Sequence, residues 1–129
     1  MKVYICGPMT GYHMENRPLF REVAATLRSR FPGVQVISAD ELDAIDPAGH
    51  GVASSWTDFL TRDVPWVVGC DAAVVLPGWR ESRGATLEAT ILTALGKPLL
   101  RWPEMTTIPP AETPIPVHDR GRGPAMRDQ

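Results

Sequence analysis

Glu88, Asp63 and Tyr4 are the residues whose types and spacing could do chemistry in this sequence. Glu88 precedes Ile91, Leu92 and Leu95 by three, four and seven residues, which puts a carboxylate on a helix side that also carries apolar residues. A carboxylate so placed either reaches solvent or an arginine at the edge of the stripe, or is held out of water for a reaction. Asp63 repeats the pattern four residues after Phe59 and seven after Trp56, with an ion pair to the adjacent Arg62 as its structural alternative. Two inward-facing acids on separate elements suit cleavage of a glycosidic bond. One attacks the anomeric carbon, and the other positions or protonates the leaving group. Tyr4, inside a short apolar run, could lend its hydroxyl to such a carboxylate or serve as a core tyrosine with one hydrogen bond.

The approach to Glu88 reads Pro77-Gly78-Trp79-Arg80-Glu81-Ser82-Arg83-Gly84-Ala85-Thr86-Leu87-Glu88, the end of a strand, a polar loop and the opening of a helix. Backbone N–H groups at a helix start have no intrahelical partner and attract anions. Ser82 can cap the helix or donate to a phosphate, Arg83 adds a fixed positive charge, and Gly84 allows close approach to the backbone. From Ser82 to Glu88 the axial rise is about 9 Å at roughly 1.5 Å per residue, the reach of a mononucleotide from its phosphate to its sugar. Gly7, Met9, Thr10 and Gly11, in the loop after the first apolar run, can line the same site, although a short glycine-containing loop is usually only a turn. Trp79 could stack on a base, whereas Trp56 and Trp66 read as core residues. Neither a GxGxxG fingerprint nor a Walker loop is present, so dinucleotide and P-loop nucleotide binding of those kinds are not expected. His13, His50 and His118 lack metal-ligand spacing with one another or with a cysteine. No metal and no cofactor is expected.

The elements that must position these residues alternate. Val3 to Cys6 reads as a buried strand closed by Gly7-Pro8, and Arg17 to Phe31 as a helix with Pro18 in its first turn and Pro32-Gly33 beyond its end. Val34 to Ile37 is a second strand, leading into a long polar loop from Ser38 to Ser54. Ser55 caps a helix with an apolar stripe of Trp56, Phe59, Leu60, Val64 and Val67, which Pro65 should kink or end early. Ala72 to Leu76 is a third strand, Arg83 to Leu95 a helix stopped by Gly96, and Leu99 to Trp102 a fourth strand. This alternation predicts an α/β, Rossmann-like three-layer domain. Its parallel sheet has four to five strands, with helices on both faces and ligand chemistry at the carboxyl ends of the strands. The domain covers residues 1–102. Residues 103–129, with five prolines between Pro103 and Pro116, read as a Pro-rich tail.

With 129 residues, 43% of them hydrophobic, the chain suits one domain with an ordinary core. A formal net charge of −2 gives no general attraction to a nucleic-acid polymer or an acidic membrane. Two cysteines, Cys6 and Cys70, each beside an apolar segment, read as buried thiols of a reducing compartment. The N-terminal apolar run is too short for a secretory signal or a membrane span, so a cytoplasmic location is expected.

Taken in order, Tyr4-Ile5-Cys6-Gly7-Pro8-Met9-Thr10-Gly11, Arg62-Asp63, Cys70-Asp71-Ala72-Ala73-Val74-Val75-Leu76-Pro77-Gly78-Trp79 and Ser82-Arg83-Gly84-Ala85-Thr86-Leu87-Glu88 resemble the nucleoside 2-deoxyribosyltransferase-like superfamily. The resemblance spans roughly residues 2 to 101. It implies a flavodoxin-like sheet in a homodimer or larger homo-oligomer, with Glu88 as nucleophile on the anomeric carbon. It further implies that Asp63 assists at the base and sugar and that Tyr4 orients the nucleophile. In the nucleoside transferases an aspartate stands six residues before the glutamate. Ser82 in that place resembles instead the 5′-monophosphate glycosidases, and an aspartate would repel a phosphate that Ser82, Arg83 and a helix N-terminus attract. The expected activity is hydrolysis of the base–sugar bond of a (deoxy)ribonucleoside 5′-monophosphate. Base exchange on a deoxyribose, cleavage of a dinucleotide, and ligand sensing without turnover stay open. Pro65 and the Pro-rich tail depart from the superfamily pattern, the tail from the segment by which a neighbouring subunit completes the site.

Overall fold

The computed structural model describes residues 1–45, 55–109 and 112. His50, His118, the end of the Ser38–Ser54 loop and most of the C-terminal stretch lie outside the described residues. β1 (Lys2–Cys6) is followed by a turn over His13–Asn16, α1 (Arg17–Arg30), β2 (Gln35–Ser38), α2 (Ala39–Ile45) and α3 (Trp56–Val68). Then come β3 (Ala72–Val75), a short 3₁₀ turn over Trp79–Glu81, α4 (Arg83–Ala94), β4 (Leu99–Arg101) and β5 (Thr106–Thr107).

The five strands form one sheet in the order β2-β1-β3-β4-β5. β1 pairs in parallel with β2 (Tyr4 opposite Ile37) and with β3 (Tyr4 opposite Ala73), and β3 pairs in parallel with β4. The expected Rossmann-like α/β fold is therefore present, with a fifth strand that runs antiparallel to β4. Alternation along the strands divides the core into two layers. Val3, Ile5, Val36, Val74 and Leu76 pack with Phe20, Val23, Ala24 and Leu27 of α1. Tyr4, Cys6, Ala73, Val75 and Leu99 pack with Val67 of α3 and with Ala85, Ala89 and Leu92 of α4. Cys6 and Cys70 are buried free thiols.

Four expectations are corrected. The stretch after β2 opens with α2, a helix of seven residues in which only Asp40 and Leu42 are buried, too short for helical periodicity to register in the sequence. Pro65 does not end α3, which runs to Val68. The proline lies on the exposed side, where water can take the carbonyl that its missing N–H leaves unpaired. The segment after Trp102 is not all tail, since β5 pairs with β4 and Ile108 is buried in the core. Trp66, read as core, is 40% exposed.

The chain leaves β1 toward β2 on one side, and β3 lies on the other. A parallel sheet opens a crevice beyond the carboxyl ends of its strands at such a reversal. Among the described residues no helix is long and apolar enough to cross a membrane.

Candidate active site

The crevice is a cleft of about 620 Å³, within the roughly 300–1,000 Å³ range usual for small-molecule sites. Gly7, Met9, Thr10 and Tyr12 of the loop after β1 form one wall. Trp56, Phe59 and Asp63 of α3 form another, and Ser82, Arg83, Gly84 and Glu88 of α4 a third. A second cavity of about 350 Å³, lined by residues that include Phe31, Val34, Val74 and Met105, has no ionisable side chain in its wall and offers no catalytic group.

Two backbone features shape the entrance. Gly78 has φ +84°, and a Cβ there would run into the Tyr12 hydroxyl, so the loops after β1 and β3 meet only over a glycine. Met14, Glu15 and Asn16 have φ of 51°, 55° and 61°, a left-handed run that costs non-glycine residues about 1–2 kcal/mol each. The Asn16 amide holds it by donating to the Pro8 carbonyl at 2.9 Å. Strain of this kind persists where the surroundings over-determine it, commonly around binding sites.

At the cleft floor the Tyr4 hydroxyl donates to Glu88 Oε2 at 2.6 Å. The ring of Tyr4 is wholly buried in the core, so β1 fixes the donor and α4 brings the acceptor to it. Burial, followed by the charge of Glu88, pushes the Tyr4 phenol well above its ordinary pKa; it remains a donor at any working pH. Glu88 keeps a window on the cleft, but burial drives its carboxyl pKa up to about 8. The Tyr4 hydrogen bond pulls against that shift, the charge of Asp63 adds to it, and Arg62 opposes it.

Asp63 comes to the same cleft from α3 and is 8% exposed. It faces the cleft, and its Oδ1 accepts from Arg62 Nε at 2.5 Å. Arg62, with a side chain 3% exposed, also donates through Nη1 to Asp43 Oδ1 at 2.8 Å. Arg17 of α1 binds Asp43 Oδ2 at 2.7 Å and Asp40 Oδ1 at 2.9 Å.

Ser82 caps α4, its Oγ accepting from Ala85 N at 3.2 Å. Arg83 lies over the Trp56 ring at 4.1 Å from its centroid, a cation–π contact that orients the guanidinium beside the helix start.

Of the eleven residues singled out in the sequence, nine stand at this cleft or support it. Tyr4 acts from beneath through Glu88. Gly11 is not in the cleft wall; with φ +86° and open space around it, it serves the turn. Trp79 is the clear exception. It is buried in the core under α4, because the left-handed Gly78 turns the chain inward just before it, so it offers no face to a base. Trp56, read as core, is the tryptophan in the wall. Trp56, Phe59 and Asp63 follow one another at helical spacing, a stripe that signals one face of a helix but not whether that face meets core or cleft. Arg17 and Asp43 also line the cleft, and no local spacing signals their pairing, which spans 26 residues.

A stability consequence follows from the raised carboxyl of Glu88. A folded pKa above the unfolded one favours the protonated form, so this contribution to stability is complete below about 4.5 and is lost as pH rises through about 8. Glu88→Gln, which keeps an acceptor for Tyr4 and cannot ionise, is expected to melt higher than wild type, most of all near pH 9. The gain is of order a few kcal/mol, at about 1.4 kcal/mol for each tenfold change in proton affinity. Melting curves at pH 5 and pH 9 check this; an equal or lower Tm for the variant at pH 9 contradicts it.

No curated protein and no solved structure matches the chain. The model of one family, a domain of unknown function (DUF4406), matches residues 1–101, a span that contains β1 to β4 and every cleft residue named above. The chain belongs to the DUF4406 family.

Proposed function

We propose that this cleft cleaves the N-glycosidic bond of a (deoxy)ribonucleoside 5′-monophosphate. The observation that carries the reading is the Tyr4–Glu88 pair at 2.6 Å on the cleft floor, with a second acid, Asp63, on the facing helix. In its ionised form Glu88 attacks the anomeric carbon. The C1′–N bond breaks, and its electron pair leaves with the base. Tyr4 holds Glu88 Oε2, leaving Oε1 to form the new C–O bond. Asp63 meets the departing base. Water then attacks the same carbon, its bond to Glu88 Oε1 breaks and the proton that water loses ends on the freed base, so that sugar phosphate is released and the carboxylate restored. The start of α4 takes the phosphate, with Arg83 beside it and no acid at position 82 to repel the dianion. The resemblance to the nucleoside 2-deoxyribosyltransferase-like superfamily supports the same assignment.

The test is chromatographic detection of free base after incubation with a panel of ribo- and deoxyribonucleoside 5′-monophosphates, with and without an added acceptor base. Base freed without acceptor supports hydrolysis, and base exchange only with acceptor replaces it with transfer. No release under either condition overturns the reading in favour of ligand sensing. Within that assay Ser82→Asp, which preserves an N-cap acceptor, is expected to raise KM for monophosphates by about 10- to 100-fold and to leave the corresponding nucleosides nearly unchanged. Equal effects on both substrates would remove the phosphate from the start of α4.

A further inference from the structure

Asp63 does not hold its place alone. A chain of charged side chains crosses three helices behind it. Arg17 of α1 grips Asp43 of α2 at 2.7 Å, Asp43 accepts from Arg62 of α3 at 2.8 Å, and Arg62 donates to Asp63 Oδ1. The middle of this chain is withdrawn from water, with side-chain exposures of 3% for Arg62, 19% for Asp43 and 11% for Asp63. An arginine on a helix flank does not need burial to be stable, and withdrawing its charge is costly unless the partners are fixed. The two carboxylates overcome that cost: burial lowers the proton affinity of Arg62, yet the hydrogen bonds that it donates to Asp63 and Asp43 leave it raised. A planar guanidinium bridging two carboxylates also fixes direction, which a single flexible ion pair does not.

We infer that Asp43 and Arg62 are positioning residues, which clamp Oδ1 of Asp63 so that Oδ2 is presented to the leaving base in the cleft. This deepens the glycosidase reading and rests on it. The clamp is built from α2 and α3, whereas the nucleophile is held separately by β1 and α4. Its loss therefore acts first on leaving-group departure, while the Tyr4–Glu88 hydrogen bond stays in place. Arg17 secures the far side of Asp43, and Asp40, 6% exposed, ties Arg17 and Arg21 to the same corner at 2.9 and 3.2 Å.

The experiment compares two leaving groups in wild type, Asp43→Asn, Asp43→Glu, Arg62→Lys and Asp63→Ala. One substrate is the nucleoside 5′-monophosphate that wild type cleaves fastest. The other is 4-nitrophenyl deoxyriboside 5-phosphate, whose leaving group needs no proton and offers no N–H. With the nucleotide, Asp43→Asn and Arg62→Lys are expected to lower kcat by about 10- to 100-fold, the scale of a small misplacement, with KM within about threefold. Asp43→Glu restores part of the loss. With the nitrophenyl substrate the loss shrinks to less than about threefold, and in an Asp63→Ala background Asp43→Asn costs nothing further. Equal losses with both leaving groups, or an additive loss in the Asp63→Ala background, would overturn the clamp and leave a role in folding.

If wild type frees no base from any nucleotide, the glycosidase reading fails by itself. The clamp is then decided by the carboxyl carbon resonance of Asp63, identified by its disappearance in Asp63→Asn. A changed resonance in Asp43→Asn supports the clamp, and an unchanged one overturns it.

Discussion

In Glu88→Gln, base release from nucleoside 5′-monophosphates falls by about 10³-fold or more, the scale expected when a reaction loses its nucleophile. The amide accepts the same hydrogen bond from Tyr4 and fills the same volume, so the loss reports chemistry and not collapse of the cleft floor. A higher melting temperature in the same variant separates the two, because a protein that folds better and turns over less has exchanged stability for activity at this residue. Acid quenching of wild type during turnover should trap a sugar phosphate esterified to Glu88, and the variant should show none. Mass spectrometry of the peptide containing residues 83–94 reads the adduct. Undiminished turnover in Glu88→Gln removes the nucleophile assignment, whatever the substrate.

The second large effect is on pH dependence. Glu88 attacks only as a carboxylate, and burial places its pKa at about 8 in the free protein. kcat/KM should therefore rise nearly tenfold per pH unit well below that value and level off above it, a change of about 50-fold between pH 6 and 8. The substrate phosphate titrates near pH 6, so measurements from pH 6.5 to 9.5 isolate the protein group. Tyr4→Phe removes the hydrogen bond that draws the Glu88 pKa down, and its profile should be displaced to higher pH as well as lowered. A profile that falls across this range would make Glu88 the proton donor. Asp63, ion-paired with Arg62, would then be the carboxylate that acts as base.

The parts of this site that were readable in the sequence share a physical property: each is expressed in local spacing. Glu88 beside Ile91 and Leu92, Asp63 beside Phe59, and Ser82 six residues before Glu88 are helical intervals, and helices turn intervals into positions. The alternation of strands and helices is enough to set these residues at one end of a parallel sheet. What escaped is non-local. The partners of Arg17 and Arg62 in α2 lie 26 and 19 residues away, and no periodicity reports such a pairing. α2 itself was unreadable because acids occupy three of its seven positions, Asp40, Glu41 and Asp43, and their use as ion-pair partners resembles the composition of a loop. The exchange of Trp79 for Trp56 has a similar cause. Both are large apolar rings at the start of a helical segment, and the left-handed turn at Gly78 sends Trp79 into the core while Trp56 faces the cleft.

The antiparallel pairing of Thr106 and Thr107 with β4 bears on how the molecule behaves in a crowded solution. A parallel sheet ends at each side in a strand whose outer amides and carbonyls can template pairing with another chain. Among the described residues β5 occupies one border with two polar, exposed residues, too short to recruit a neighbour, and Ile108 pins it to the core. At the other border the Arg28 side chain donates to the Val36 carbonyl at 3.1 Å, placing a charge where an incoming strand would have to bond. The sheet thus carries its own guards against self-association through strand addition, one at each margin, and neither draws on the residues of the cleft.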